Sequence, residues 1–597
     1  EYKSLDFRTK HTLFYIPWFD NTDHSLQMMA RFEMGTSTNT GQTIGSSGVV
    51  GGITDPNVNA YLNSLSTTTG KGHTMSVTGS FHYAYKSKYI FDFTIRGDGS
   101  TKFGAGNKWG FFPGISGRWN ISDEAFFRPL RKAISMLAVR GGWGVGGNAS
   151  FSEGLMYNNY TSIGSYLSNN AIAPNNLRLT EIRWEKTKSW NLGFNLGILD
   201  DLLSFDLNIY DRRTTDLLMS NVGIPSSTGF SSLQWANVGS LKNNGWELYV
   251  NTRRLFNVGK FSMVVRFNLA QNINRITSME PTVLASMNPE FDHANANENW
   301  VSRVQIGNAL GGIYGFRYKG VYRYDYDHSG YFRDQDDNDM YGTMEEWLKD
   351  PTQAPPTAAI AEAVGQVATT PVARDAQGNI IYDQNGDPKH MVYNYGGVGY
   401  EFQGGDVIYE DINHDGQIDE LDVVYLGSSN PKINGGFGFD FNYGKWTLKT
   451  NFNFRVGNKI VNLARMRAED MRTNKNQSTA VNWRWRKNGD ITEIPRAMNN
   501  EASGSRVYNS LPSDRYVEKG DFVRLQYLQL SYSFDADKLK RFGIRSLRLA
   551  ASGNNLWFWT RYHGVDPEHS QSGYAPCIDD SQTPRSRSFT LSLNIGF

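Results

Sequence analysis

The chain has 597 residues, 60 of them basic and 59 acidic, for a formal net charge of +1. That balance argues against nucleic acid or any other polyelectrolyte as a partner. Mean hydropathy is −0.50 and no apolar run reaches the ~18 residues that a spanning helix needs. Helical membrane proteins are therefore excluded, but a β-barrel, whose strands need only ~9–11 residues, half of them polar, is not.

Strand patterns begin early. Lys88 to Arg96 puts Tyr89, Phe91, Phe93 and Ile95 on one face and Asp92, Thr94 and Arg96 on the other. Trp190 to Ile198 alternates large apolar residues with Asn and Gly. Asp200-Asp201 then reads as a turn, and Phe205, Leu207 and Ile209 resume the alternation, which together predict a hairpin. Trp246, Leu248 and Val250 lead through a loop at Asn257-Val258-Gly259 into Phe261–Leu269. Phe437 to Tyr443, Gly444-Lys445 and Trp446 to Phe454 form a second hairpin. In Phe522 to Phe534 the apolar phase slips near Tyr527-Leu528, which predicts a β-bulge. Trp557-Phe558-Trp559 reads as part of an aromatic girdle. The last segment, Arg587–Phe597, alternates Phe589, Leu591, Leu593, Ile595 and Phe597 with small or polar residues. Helical periodicity is confined to Thr357–Val367 and Leu463–Met471.

Roughly sixteen strands follow from these patterns, at lengths suited to a membrane wall. Short turns alternate with long polar connections at Met34–Lys71, Ala149–Arg183, Asn274–Gly311, Arg323–Gly404 and Arg465–Gly520. That asymmetry, with aromatics at 13% of the chain, favours an all-β, antiparallel transmembrane barrel with long extracellular loops. A soluble, secreted β-rich glycan-binding protein is the alternative, because such proteins are also rich in aromatics.

Asp411 to Asp422 reads DINHDGQIDELD. Asp411, Asn413, Asp415, the carbonyl of Gln417, Asp419 and Asp422 fall at positions 1, 3, 5, 7, 9 and 12 of a calcium loop, with Gly416 at the sharp turn. A structural Ca²⁺ is expected there, stapling a loop and set between strands (VIYE before, VVYLG after) rather than helices. Ile418 is the expected apolar anchor. Asp325–Asp339 and Asp383–Asp387 fit no ligand template and read as solvated turns. Loop aromatics Tyr324, Tyr326, Tyr331, Trp347, Trp483 and Trp485 are weak candidates for stacking on a sugar or peptide. No metalloprotease HExxH, nucleophile elbow or P-loop is present, and the lone Cys577 in YAPCIDD lacks a nearby His base, so no enzyme is expected.

Several segments resemble SusC-like TonB-dependent transporters of the Bacteroidetes outer membrane. In order, they are Arg96–Phe127, Leu137–Asn148, Leu177–Leu218, Asn237–Leu248, Gly311–Tyr322, Gly405–Asp422, Ser513–Phe534, Asn554–Glu568 and Pro584–Phe597. The resemblance implies a barrel of about 22 strands with a plugged lumen. It implies TonB-driven import of an oligomeric nutrient, glycan or peptide, beneath a SusD-like surface lipoprotein, in an assembly of paired transporter–lid units. The family's plug and TonB box are not recognisable here. Residues 1–597 are therefore expected to be the C-terminal part of a longer barrel, with 323–404 as a long extracellular insertion and 405–427 as the calcium-loop-like segment. A plugless passive porin is the second membrane reading.

Overall fold

A computed structural model describes residues 2–47, 61–166, 169–287, 304–325, 332–333, 339–341, 370–394, 399–472, 475–487, 490–498, 508–568 and 577–597. Fifteen strands form one antiparallel meander in which every strand pairs with its neighbours in sequence. They are β1 (Tyr2–Tyr15), β2 (His24–Ser47), β3 (Tyr61–Tyr85), β4 (Tyr89–Ser100), β5 (Trp109–Asn120), β6 (Ile134–Asn148), β7 (Glu185–Ile198), β8 (Leu203–Thr215), β9 (Gly239–Thr252), β10 (Phe261–Met279), β11 (Ile433–Tyr443), β12 (Trp446–Val456), β13 (Phe522–Ser533), β14 (Ser546–Thr560) and β15 (Ser588–Gly596). A sixteenth short strand, Phe256–Val258, folds back on the start of β10. Among the described residues, β1 and β15 pair only with β2 and β14. In hydrocarbon, backbone along both edges needs further partners.

The alternation sorts residues onto two faces throughout. Register sets Phe91 beside Gly117, Phe93 beside Ile115 and Ile95 beside Pro113, while Asp92 lies beside Ser116 and Thr94 beside Gly114. The apolar face is left bare: Phe93, Ile95, Leu591 and Phe589 are all exposed. A contiguous apolar face of this size needs lipid, not water, against it. Tyr89 and Trp119 face each other at the short-turn end and stack at 6.3 Å. Trp109 stands ten residues from Trp119 along β5, about 25 Å apart across a bilayer at the usual strand tilt. Trp557 and Trp559 occupy the same outer level on β14, beside Leu525 and Val523 of β13. These are two aromatic belts.

This face assignment predicts the outcome of two single substitutions. Ile95→Arg should destabilise the folded barrel by about 2–4 kcal/mol, the cost of a guanidinium near mid-bilayer. Thr94→Arg, one residue away on the polar face, should be near neutral. Urea unfolding in lipid vesicles, followed by tryptophan fluorescence, reads both.

Turns at one end are short. Lys86 and Ser87 join β3 to β4 with φ of 52° and 54°, and Leu199-Asp200-Asp201 join β7 to β8, all with positive φ. The expected hairpins and the Gly444-Lys445 turn are present. The bulge is present too: register shifts between Leu525 and Tyr527, so the outward set runs Val523, Leu525, then Leu528, Leu530, Tyr532. The helix predicted from Leu463 forms as α1 (Leu463–Ala468), whereas Thr357–Val367 lies outside the described residues.

Two loop boundaries are corrected. Met34–Ser47 and Tyr61–Lys71 are strand, not loop: β2 and β3 stay paired from His24↔Tyr85 to Ser47↔Tyr61. At 24 residues, β2 is about 80 Å long, far more than a bilayer requires. Its outer half is mostly Thr, Ser, Gly and Asn, with Gln42 and Ile44, so alternation vanishes where both faces meet water. Likewise β10 runs on to Met279, beyond the predicted break at Asn274.

Candidate functional site

The long connections all emerge at the end opposite the short turns, and two of them share a core. Phe316, Tyr322, Met391, Phe402, Tyr409 and Ile418 from the β10–β11 connection pack with Tyr508 and Leu511 from the β12–β13 connection. Burying these large side chains against each other gives the rim a fold of its own.

The fastening point of that core is Asp406, which is fully buried. Its Oδ1 accepts from Arg496 Nε at 2.7 Å and Asn509 Nδ2 at 3.1 Å. Its Oδ2 accepts from the Tyr400 hydroxyl at 2.6 Å and the Gln403 amide at 2.9 Å. Tyr400 stacks on Tyr508 at 3.9 Å, and Asn509 Oδ1 accepts from the Val407 amide. Burial, and then the Asp406 charge, push the Tyr400 hydroxyl well above its ordinary pKa, so it stays a donor. Burial works against the Arg496 cation, but Asp406 more than offsets it and raises the guanidinium pKa. Sequence reading missed this group. Its one signal was Gly405-Asp406 inside a family-like segment, and two of its partners, Arg496 and Asn509, stand 90 and 103 residues further on.

The calcium-like loop is a chain of side-chain-capped turns. Asp411 Oδ2 accepts from the Gly416 amide at 2.7 Å and Asp415 Oδ1 from the Gln417 amide at 2.8 Å. Asp422 accepts from the Ile412 and Asp419 amides at 2.7 and 2.9 Å, and Asp419 accepts from the Leu421 amide at 2.8 Å. Asn413 Oδ1 accepts from the Asp415 amide. Gly416 has φ +80°, and a Cβ there would meet Ala373 Cβ at 2.6 Å, so the turn requires glycine. Ile418 is fully buried in the rim core, and strands Val407–Tyr409 and Val424–Ser428 flank the loop. Burial, with Asp411 and Asp419 nearby, pushes the Asp422 carboxyl up to about 6; burial also raises Asp411. Lys389 sets its ammonium on the Asp415 carbonyl. Among the described residues, no three acidic, His or Cys side chains converge on a single point suited to a metal.

The candidate aromatics separate. Tyr324 is buried, which corrects its reading as an exposed loop residue. Trp485 is half-buried, with Nε1 donating to the Arg323 carbonyl at 3.1 Å and its ring over Gly405. Trp483 is 78% exposed. Tyr326, Tyr331 and Trp347 lie outside the described residues. Cys577 is buried, and burial pushes its thiol up to about 11, an inert position for a nucleophile.

Below the rim, the polar face of β9–β12 holds a niche of about 560 Å³. Gly436 and Gly438 form its floor, and Asn268, Asn451, Asn453 and Arg266 stand around it. Arg266 is held by a bidentate pair with Asp440 at 2.6 and 2.8 Å. A Cβ on Gly438 would come within 2.5 Å of Asn451 Oδ1, so the floor is open only because glycine lines it.

Residues 2–355 match the family model described as "TonB dependent receptor-like, beta-barrel". A TonB-dependent receptor of Formosa agariphila is 30% identical over 558 residues, 91% of this chain and 48% of the relative. The TonB-dependent receptor SusC of Bacteroides thetaiotaomicron is 25% identical over 537 residues, 88% and 44%. Among solved structures, the RagAB peptide transporter superposes with a TM-score of 0.74 at 19% identity, over all of this chain and 56% of that one. The chain thus spans about half the length of the curated relatives it matches.

Proposed function

This chain belongs to the TonB-dependent receptor β-barrel family and is an outer-membrane, SusC-like barrel segment, and from that premise we propose that it is the wall and outer rim of an active importer. In this reading, an oligomeric nutrient, glycan or peptide, is captured at the rim beneath a SusD-like lipoprotein. It then passes through the lumen when TonB moves a plug. The observation that carries the reading is the rim: two long connections fused through the Asp406–Arg496 pair into one folded platform. A passive pore has little use for so heavy a structure above its mouth. RagAB is named a peptide transporter, which supports an oligomer as cargo without choosing between peptide and glycan.

The test is uptake of labelled oligomers by cells carrying the full-length protein, with and without TonB. Transport that stops without TonB, with a lipoprotein co-purifying, is the expected result. Uptake that continues unchanged identifies a passive porin instead.

We extend the proposal to Ca²⁺ at Asp411–Asp422. Each carboxylate oxygen that accepts one amide keeps a second lone pair, and the oxygen-only donor set suits a hard cation. Among the described residues, no basic side chain forms an ion pair with Asp411, Asp415, Asp419 or Asp422. Saturating Ca²⁺ at about 100 times Kd should stabilise the rim by about 2.7 kcal/mol, read as slower proteolysis within 405–427. Asp411→Ala with Asp415→Ala should abolish the effect. Equal, negligible calcium in both proteins by metal analysis removes the site from the proposal.

A further inference from the structure

The strongest unassigned feature lies on the β12–β13 connection, where Trp483 stands over an open cavity of about 570 Å³ lined also by Arg484, Arg486, Lys487 and Thr492. Its indole is 78% exposed, yet the backbone beneath it is rigidly held. The Trp483 carbonyl accepts from Thr492 Oγ1 at 2.5 Å, and two residues on, Trp485 is pinned to Arg323. A flat aromatic face carried on a hydrogen-bonded backbone and left in water offers a stacking platform.

The charge around it is one-sided. Three cations stand against one carboxylate, Asp490, and that carboxylate accepts from the Arg486 and Lys487 amides at 2.8 and 3.1 Å. Its work is to hold the turn. Among the described residues, the guanidinium groups of Arg486 and Arg484 donate to neutral carbonyls, those of Asn482 and Val481. None of the three cations forms an ion pair with a described residue. The main chain offers a ligand little. The amide of Arg484 goes to Val481 O and that of Trp485 to Ile494 O, and the next two are taken by Asp490. Peptide ligands commonly bind through main-chain hydrogen bonds along a strand edge; this surface presents an aromatic face and three cations instead.

We propose that this cavity is a binding site for an anionic oligosaccharide, with a pyranose ring on Trp483 and its carboxylate or sulfate groups on Arg484, Arg486 and Lys487. The inference rests on the importer reading for its biological meaning and narrows the cargo to acidic glycan. The shared ligand chemistry is an anionic sugar ring; uronate and sulfate ester are its two sources. Guanidinium forks match both groups in geometry.

The experiment is calorimetric titration of the full-length protein, purified from outer membranes with its lipoprotein partner. The probes are a uronic-acid oligomer, a sulfated oligomer, a neutral oligomer of equal length and an acidic peptide. At least one anionic oligomer should bind, and more weakly as salt rises. Trp483→Ala should weaken that binding tenfold or more. Arg486→Gln with Lys487→Gln should remove most of the preference over the neutral oligomer. These are exposed side chains, so folding should survive, and an unchanged heat-shifted gel band checks it. Equal affinity in wild type and variants overturns the inference, as does tighter binding of the neutral oligomer or the peptide. Uptake that is indifferent to TonB, with the binding results intact, overturns the importer reading and leaves this site standing.

Discussion

Arg524→Ala should be among the most destabilising single changes in the barrel, costing about 3–5 kcal/mol. Arg524 is fully buried near the outer end of β13. Its Nη2 donates to Asp566 Oδ1 at 2.5 Å, and Nε lies 3.0 Å from Glu568 Oε2, an ion contact whose angle does not make a hydrogen bond. Phe558 lies under the guanidinium at 4.9 Å, and Arg585 closes the group on Glu568 at 3.1 Å. The cluster clips the connection between β14 and β15 onto the wall. Without Arg524, two carboxylates remain buried beside each other with only Arg585 near. The mechanism predicts a rescue. Arg524→Met with Asp566→Asn and Glu568→Gln should recover much of the loss, since the buried charges are then gone and the remaining Arg585 is half-exposed. Urea unfolding in lipid vesicles measures each variant. A loss under 1 kcal/mol for Arg524→Ala, or no rescue in the triple variant, contradicts this account.

The wall was readable from sequence because a lipid face and a wet face impose a period of two on each crossing. Even the bulge at Gln526-Tyr527 shows as a slip from Val523, Leu525 to Leu528, Leu530. The same physics explains where reading failed. The outer half of β2 and β3 meets water on both sides, so Thr and Ser serve on either face and no alternation marks the strand. In the rim, local chemistry was legible and tertiary placement was not. Gly416 announced a left-handed turn, which its φ of +80° bears out. Tyr324, Trp485 and Trp483 look alike as loop aromatics, yet one is buried, one pinned and one bare. Only long-range packing distinguishes them, and for a single sequence that packing leaves no periodic trace.

The same limit hid Asp406, for which the second large effect is expected. Asp406→Ala should melt the rim while leaving the wall folded. The substitution leaves the half-buried Arg496 guanidinium and Tyr400 hydroxyl, and the buried Asn509 amide, without their shared acceptor. Leaving one partner of such a pair unmatched costs about 3–5 kcal/mol, while Asp406→Asn, which keeps the shape and some acceptors, should cost less. The hydrogen-bond partners named for Asp406 all lie on the two connections, not on the wall, so the loss should stay local. Limited proteolysis should cut within 399–429, 490–498 and 508–511 at least tenfold faster, with urea unfolding of the barrel unchanged. Arg496→Met paired with Asp406→Leu should restore part of the protection, because it removes the unmatched charge while leaving the Tyr400 hydroxyl and the Asn509 and Gln403 amides without their acceptor. If cutting stays at the wild-type rate in Asp406→Ala, the two connections are held by their apolar core alone. If the barrel unfolds as well, rim and wall form one cooperative unit, and the platform is no separable module.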